Sequence, residues 1–336
     1  MVARCRVRAY VGTMSDTPAF LNPAFLDSDR PHVPDIVVPR GITSFYLPRR
    51  PVRGRLIRLG PLADALLARH HHPDPVTILV GQALALTAGL ASALKFRGSF
   101  SLQAKGDGPV SLLLADFTDT GELRGHAMVK AARLAAMLAL DPAPSAGMLL
   151  GAGHLAFTVD QGPETDRHQG IVSIMGANLS DMALHYFRTS EQLRCRVQLA
   201  CAWTEAGWRA GALILERVAG EGGVDPDLLE EELDEAWDTA NILAATLSDA
   251  ELLDDAIAPE RLLYRLFHTE GMVADRARAI SYGCRCSRAR LAGILEGFPT
   301  TDLDDMAVDG DIVMTCEFCN FDFRFPREGV RSRAGG

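Results

Sequence analysis

Apolar and polar positions change period several times along this chain, and each change predicts an element. Val52 to Leu59 predicts a strand, and Pro61 to His70 a helix that starts on a proline and stops before Pro73. Ile78 to Lys95 is mostly small or apolar, which predicts a long buried helix ended by Gly98. Phe100, Leu102 and Ala104 then alternate with Ser99, Ser101 and Gln103, the period of a strand with one buried face. Gly106-Asp107-Gly108-Pro109 turns the chain, and Val110 to Phe117 returns as a second strand. Helices are expected at Lys130 to Leu140 and Leu179 to Arg188, and strands at His154 to Val159 and Ile171 to Met175. Cys195, Val197, Leu199 and Cys201 occupy one parity and therefore one strand face. Glu205-Ala206-Gly207 turns that strand back into Trp208 to Val218.

The pattern changes character over residues 219–260, which hold fourteen Asp or Glu and no Lys or Arg. Asp225-Pro226 opens a helix, with Asp as cap and Pro in the first turn. Leu229, Leu233, Ala236, Trp237, Ala240, Leu243, Ala244 and Leu247 form one apolar stripe, and Glu230, Glu231, Glu232, Asp234, Glu235 and Asp238 occupy much of the rest. Ser248 and Glu251 predict a capping box for the next helix. Pro259 starts a third, which carries Leu262, Leu263, Leu266 and Phe267. An acidic helix with few internal cations repels itself, so its stability is expected to depend on docking the stripe. Farther on, Ser287 caps a helix with Leu291, Ile294 and Leu295, and Thr301 to Met306 forms another. Asp311 to Thr315 predicts a strand, Cys316 to Asn320 a turn, and Phe321, Phe323 and Phe325 alternate on the return.

These elements predict an α+β chain. An N-terminal sheet-and-helix core domain covers residues 41–218, an acidic helical linker residues 219–283, and a small C-terminal four-cysteine zinc module with a flexible tail residues 284–336. Residues 1–40 contain Pro18, Pro23, Pro31, Pro34 and Pro39 without a period, and a disordered extension is expected there.

Composition narrows the function. At 48% hydrophobic and 23% charged, the 336 residues are of ordinary globular make-up. The net charge of −9 argues against a general nucleic-acid binder, which needs a basic footprint. The longest apolar run, Ile78 to Leu94, is interrupted by Gln82, Thr87 and Ser92, so no membrane span is expected. The start of the chain carries arginines and prolines but no apolar core segment, which predicts a cytoplasmic protein. Gly106 to Gly108 lack the Lys-Ser/Thr of a phosphate loop, and Gly151-Ala152-Gly153 lacks the third glycine of a dinucleotide fingerprint. The adjacent His70, His71 and His72 suit a helix C-terminus better than a metal site. His154, His185 and Glu191 have no close spacing and support no acid–base mechanism.

Four of the seven cysteines form two tight pairs, Cys284-Arg285-Cys286 and Cys316-Glu317-Phe318-Cys319. Two such turns can close a tetrahedral shell of four thiolates on one Zn²⁺. Two plain disulfides are the other reading. A reducing cytosol favours the metal, and a CxC disulfide closes a very small, strained ring. An all-thiolate shell leaves no open position for water and is structural rather than catalytic, yet clustered thiolates also meet oxidants readily. Cys195 and Cys201 are expected to be small buried hydrophobes.

The run Leu262-Leu263-Tyr264-Arg265-Leu266-Phe267-His268, then CRCSR at 284–288, CEFCN at 316–320 and Phe323-Arg324-Phe325, resembles the redox-regulated 33-kDa heat-shock chaperonin family. The resemblance extends upstream through Val52-Arg53-Gly54, Ala93-Leu94-Lys95-Phe96, Gly106-Asp107-Gly108-Pro109, Leu123-Arg124-Gly125, Gly170-Ile171-Val172 and Tyr186 to Leu193, and covers residues 42–326. Arg194 stands where the family often has proline.

The resemblance implies an ATP-independent holdase rather than an enzyme. Cys284, Cys286, Cys316 and Cys319 would hold one Zn²⁺ per chain in the reduced form. Oxidation would form Cys284–Cys286 and Cys316–Cys319 disulfides, the second first. Zinc loss would unfold the linker, exposing apolar surface to unfolding client proteins, and the active form would be a homodimer.

Two competing readings start from the same cysteines. One is a nucleic-acid-binding zinc ribbon using Arg285, Arg288, Arg290, Arg324, Arg327, Arg331 and Arg333. The other is a zinc enzyme in which His268 replaces one cysteine.

Overall fold

A computed structural model of the chain describes residues 34–48, 50–162, 168–218 and 230–332. Residues 35–283 form one compact unit, and the described residues from Cys284 onward belong to a second.

The larger unit is built on one sheet. In chain order its elements are β1 (Val37–Leu47), β2 (Val52–Arg58), α1 (Pro61–Leu67), α2 (Asp74–Ala91), β3 (Ser99–Gly106), β4 (Val110–Thr118), β5 (Glu122–Val129), α3 (Ala131–Leu140), α4 (Ala146–Leu150), β6 (Gly153–Asp160), β7 (His168–Ser173), α5 (Leu179–Tyr186), β8 (Cys195–Thr204), β9 (Gly207–Arg217), α6 (Glu230–Ala245), α7 (Asp249–Leu253), α8 (Pro259–Phe267), β10 (Val273–Ala274) and β11 (Arg278–Tyr282). The strand order is β7-β6-β3-β4-β5-β11-β1-β2-β9-β8, with β10 paired to β1. Neighbours are antiparallel except β11 and β5, which run parallel through Ser281–Glu122 and Tyr282–Leu123 only.

Side-chain alternation gives the sheet two different faces. Ile57 of β2, Ile214 of β9 and Cys201 of β8 face α2, whose residues from Ala83 to Leu90 are buried. Glycine makes this packing close: a Cβ on Gly81 would lie 2.3 Å from the Cys201 sulfur. By length and composition α2 alone among the described helices could cross a membrane, but most of it is buried within the fold as a core helix.

On the opposite face, Phe45 and Leu47 of β1, Val52 and Leu56 of β2, Ala200 of β8, and Leu213 and Leu215 of β9 are buried in one cluster. The acidic helices α6 and α7, with α8, cover it. Trp237, Ala240, Ala244 and Leu247 from the α6 stripe, Leu252 and Leu253 from α7, and Leu262, Leu263, Leu266 and Phe267 from α8 complete the cluster. Phe45 and Phe267 stack with ring centroids 5.2 Å apart. The Ser248–Glu251 capping box is present, with Ser248 Oγ accepting from the Glu251 amide. Asn178 forms another with Asp181 at the start of α5.

The structure corrects three sequence expectations. Of the extension expected over 1–40, residues 1–33 lie outside the described residues, while Val37–Arg40 belong to β1. The prolines concealed this strand. Pro39 sits where the β1–β11 register shifts between Val38 and Ile42, an irregularity that tolerates a residue without an N–H. The stretch assigned to a helical linker, 219–283, ends in β10 and β11, and β11 lies inside the main sheet between β5 and β1. β5 and α4 were not expected at all. The predicted Asp225-Pro226 helix start and Leu229 lie outside the described residues.

The smaller unit contains α9 (Arg288–Leu295), α10 (Thr300–Met306), β12 (Asp311–Thr315) and β13 (Asp322–Pro326). β12 and β13 form a hairpin in which Ile312 faces Phe325 and Met314 faces Phe323, all four buried. Phe321 precedes the return strand and is 37% exposed, against 2% for Phe323, so the expected three-phenylalanine face contains two.

Candidate metal centre

The hairpin turn builds half of the site. The Cys316 amide donates to the Phe321 carbonyl at 2.9 Å, and the Asn320 amide donates back to the Cys316 carbonyl at 2.8 Å. Asn320 takes the left-handed conformation that closes such a turn, φ 53°, and asparagine adopts it at low cost. This presents Cys316 and Cys319 on one side of the turn. The other half, Cys284 and Cys286, precedes the Ser287 cap of α9, where Ser287 Oγ accepts from the Arg290 amide.

The four sulfurs lie within 4.8 Å of one another. Cys284 to Cys286 is 3.5 Å, Cys284 to Cys316 is 3.7 Å, and Cys286 to Cys319 is 3.4 Å. A tetrahedron with metal–sulfur bonds of about 2.3 Å has edges of about 3.8 Å. The cluster therefore has the spacing and the soft-donor chemistry to hold a metal ion. Cys284, Cys286 and Cys319 are buried, whereas Cys316 is partly exposed. Hydrogen bonds from Cys286, Cys316 and Cys319 hold the Cys284 thiol well below the ordinary range. Its bond to Cys284, foremost among its contacts with the other three sulfurs, pushes Cys286 up. Holding all four sulfurs as thiolates at this spacing would concentrate negative charge, which a bound cation would neutralise.

The remaining candidates do not join this cluster. Cys195 and Cys201 sit in β8, and burial pushes both thiols up to about 12. Among the described residues the metal-competent cluster consists of cysteines alone. His268 belongs to the larger unit and makes a 3.0 Å hydrogen bond through Nδ1 to the Tyr264 carbonyl, so it does not replace a cysteine. The His70 and His72 rings stack at 5.5 Å beyond α1. Glu191 accepts a 2.5 Å hydrogen bond from Tyr186. Two arginines proposed for nucleic acid serve the module itself. Arg288 lies 4.9 Å over the Phe325 ring and donates to the Arg324 carbonyl, and Arg327 pairs with Asp304 at 2.7 Å. The nucleic-acid reading is not favoured.

The model of the family described as Hsp33 protein matches residues 41–326. The chain belongs to the Hsp33 family. A 33 kDa chaperonin of Caulobacter vibrioides is 36% identical over 294 residues, covering 86% of this chain and 95% of that protein. A 33 kDa chaperonin of Pseudomonas putida is 33% identical, covering 87% and 92%. The crystal structure of the 33 kDa chaperonin from Thermotoga maritima superposes with a TM-score of 0.66 at 19% identity, covering 87% of this chain and 96% of that one, which shows a shared fold. An Hsp33 family member is a chaperone, and the four-cysteine cluster lies within the matched span.

Sequence reasoning found the four cysteines but missed the residues that hold the linker to the sheet. Arg58 and Arg209 are 6% and 7% exposed and bond to α7 and the segment after it. Their signal was available: Arg58 shares the parity of Val52 and Leu56, and Arg209 that of Leu213 and Leu215.

Proposed function

We propose that this Hsp33 family member is a redox-gated, ATP-independent cytoplasmic holdase without a catalytic step of its own. The observation that carries the reading is the four-sulfur cluster at tetrahedral spacing. Cys284, Cys286, Cys316 and Cys319 would hold one Zn²⁺, which supplies a cross-link between the two arms of a module too small to hold a large core.

The four cysteines also carry the switch. A thiolate attacks a peroxide oxygen, becomes a sulfenic acid and releases hydroxide. A neighbouring thiolate then displaces the second hydroxide to form a disulfide. Each disulfide passes two electrons to one peroxide, and two protons complete two waters. A disulfide sulfur has no negative charge to offer a cation, so the shell is lost with its folding energy. Cys316–Cys319 would form first and Cys284–Cys286 second, each within its own arm.

The linker is poised to respond. Glu231, Glu232, Asp234, Glu235 and Asp238 crowd α6 without a cation on the same helix. Its stability comes from docking Trp237, Ala240, Ala244 and Leu247 on the sheet. Gly283 alone separates β11 from Cys284, and β11 holds β5 by a two-residue ladder. Loss of the module would therefore pull on β11, which is held by β1 on one side and by two residues of β5 on the other, and on the helices before it. Release of the linker would expose the cluster around Phe45, Leu56, Leu213 and Leu215 to unfolding clients, and the same face would favour a homodimer.

The test is protection of a thermally unfolding protein from aggregation, with reduced and peroxide-treated chain compared and zinc release followed. Protection only after oxidation, together with loss of four thiols and one zinc, is expected. Zinc release without protection would sink the reading.

A further inference from the structure

The sheet face beneath the linker is not purely apolar. Along β9, Arg209 and Arg217 share a face with Leu213 and Leu215, and Arg58 shares the face of Leu56 on β2. In the β2–β9 register Leu56 faces Leu213, Gly54 faces Leu215, Val52 faces Arg217 and Arg58 faces Gly211. The apolar centre is thus bracketed by Arg58 and Arg209 at one end and Arg217 at the other. Eight residues separate Arg209 from Arg217, which along a strand is about 27 Å.

The linker answers this pattern with anions and carbonyls. Arg209 Nε lies 2.5 Å from Asp255 Oδ2, and Arg217 Nη1 lies 2.8 Å from Asp234 Oδ1. Arg58 donates to the Glu251 carbonyl at 2.5 Å and to the Ile257 carbonyl, and its buried Nε has no partner. Between Asp234 and Asp255 the linker lays down Trp237, Ala240, Ala244 and Leu247. The α6 part of the cover is therefore an apolar stretch bracketed by carboxylates, with Leu262, Leu263, Leu266 and Phe267 of α8 completing it. Departure of the linker returns these guanidinium groups to water, so a client that buries them again must supply acceptors in place of the linker's.

We propose that the uncovered face selects client segments of the same chemistry, an apolar stretch bracketed by carboxylates, and that Arg58, Arg209 and Arg217 set this preference. The inference rests on the holdase reading and names the client class of that site. The linker is then an intramolecular competitor for it.

The test uses the full chain in two forms, peroxide-oxidised and reduced with Trp237→Asp and Leu247→Asp to undock α6 without oxidation. The probes are two fluorescent peptides with the same apolar stretch, one flanked by Asp pairs and one by Lys pairs. The chain carries a net charge of −9, so long-range attraction alone would favour the Lys peptide. The Asp peptide is expected to bind about tenfold tighter, the effect of one or two charge-assisted hydrogen bonds. Arg58→Met with Arg209→Met should erase that preference, the Asp peptide weakening and the Lys peptide gaining as the repelling cations are removed, while the Lys substitutions at both positions keep part of it. Equal affinities, or preference for the Lys peptide, in the undocked chain would overturn the proposal even if the arginine variants do not fold. If only the undocked chain shows the Asp preference and the oxidised chain binds neither peptide, the redox gating fails and the client preference stands.

Discussion

The sulfur of Cys286 lies 3.4 Å from that of Cys319 on the opposite arm, closer than the 3.5 Å to Cys284 on its own arm. The site is therefore one cluster rather than two separate pairs. Removing one sulfur opens the whole shell. Cys316→Ser is expected to weaken zinc binding more than about 100-fold, since even second-shell losses cost 10–100-fold. It should also leave the reduced protein partly active as a holdase. Zinc content after dialysis against a chelator checks the first point. A variant with full zinc and normal latency would contradict the site.

The same closeness makes the disulfide pairing a real test. Sulfurs at 3.4 to 3.7 Å must move to bond at about 2.05 Å, whichever partner they choose. The account expects Cys316–Cys319 first and Cys284–Cys286 second, each closing within its arm. Peptide mapping of a peroxide time course reads the order directly. Dominant Cys284–Cys316 or Cys286–Cys319 linkages would refute the local scheme.

Trp237 is the largest side chain α6 buries, at 7% exposure. Trp237→Ala should cost linker docking about 3 kcal/mol, the lower end for a buried aromatic truncated to alanine. The reduced variant is expected to keep its zinc, protect clients without oxidant and become more sensitive to proteolysis between residues 231 and 247. Unchanged latency would show that the stripe does not hold the linker down.

Cys195 and Cys201 should behave unlike the four clustered thiols. Burial raises both to about 12 from an ordinary 9.0, so the fold prefers the neutral thiol. Their contribution to stability is complete below pH about 9 and falls as pH rises from there toward 12, because only the unfolded thiols ionise in that window. Alkylation at pH 8 should spare them until denaturant is added. The stability lost between pH 8 and pH 10 should shrink in a Cys195→Ala, Cys201→Ala double variant; an equal loss would contradict the assignment.

Local pattern carried much of this fold into the sequence. Strict alternation from Ser99 to Ala104 placed β3, proline starts placed α1 and α8, and Ser248 with Glu251 placed the cap of α7. The cysteine spacing identified the site because metal geometry is short-ranged and constrains nearby residues. Long-range pairing was not legible. β11 is five residues long and gains its place from β1 and β5, more than 150 residues away in sequence. Val37–Leu47 was hidden because Pro39 signals a loop until a register irregularity accommodates it. Arg58 and Arg209 share the parity of buried neighbours, but their partners Glu251, Asp255 and Ile257, which arrive from the linker, were not legible from strand pattern.

Amide hydrogen exchange on reduced, zinc-loaded chain and on peroxide-oxidised chain tests most directly whether the sulfur cluster gates the linker. The account predicts slow exchange through α6, α7 and α8 in the reduced form. After loss of the four thiols that protection should collapse, while β3, β4 and β6 keep theirs. Unchanged protection of α6 to α8 after complete oxidation and zinc release would contradict the account.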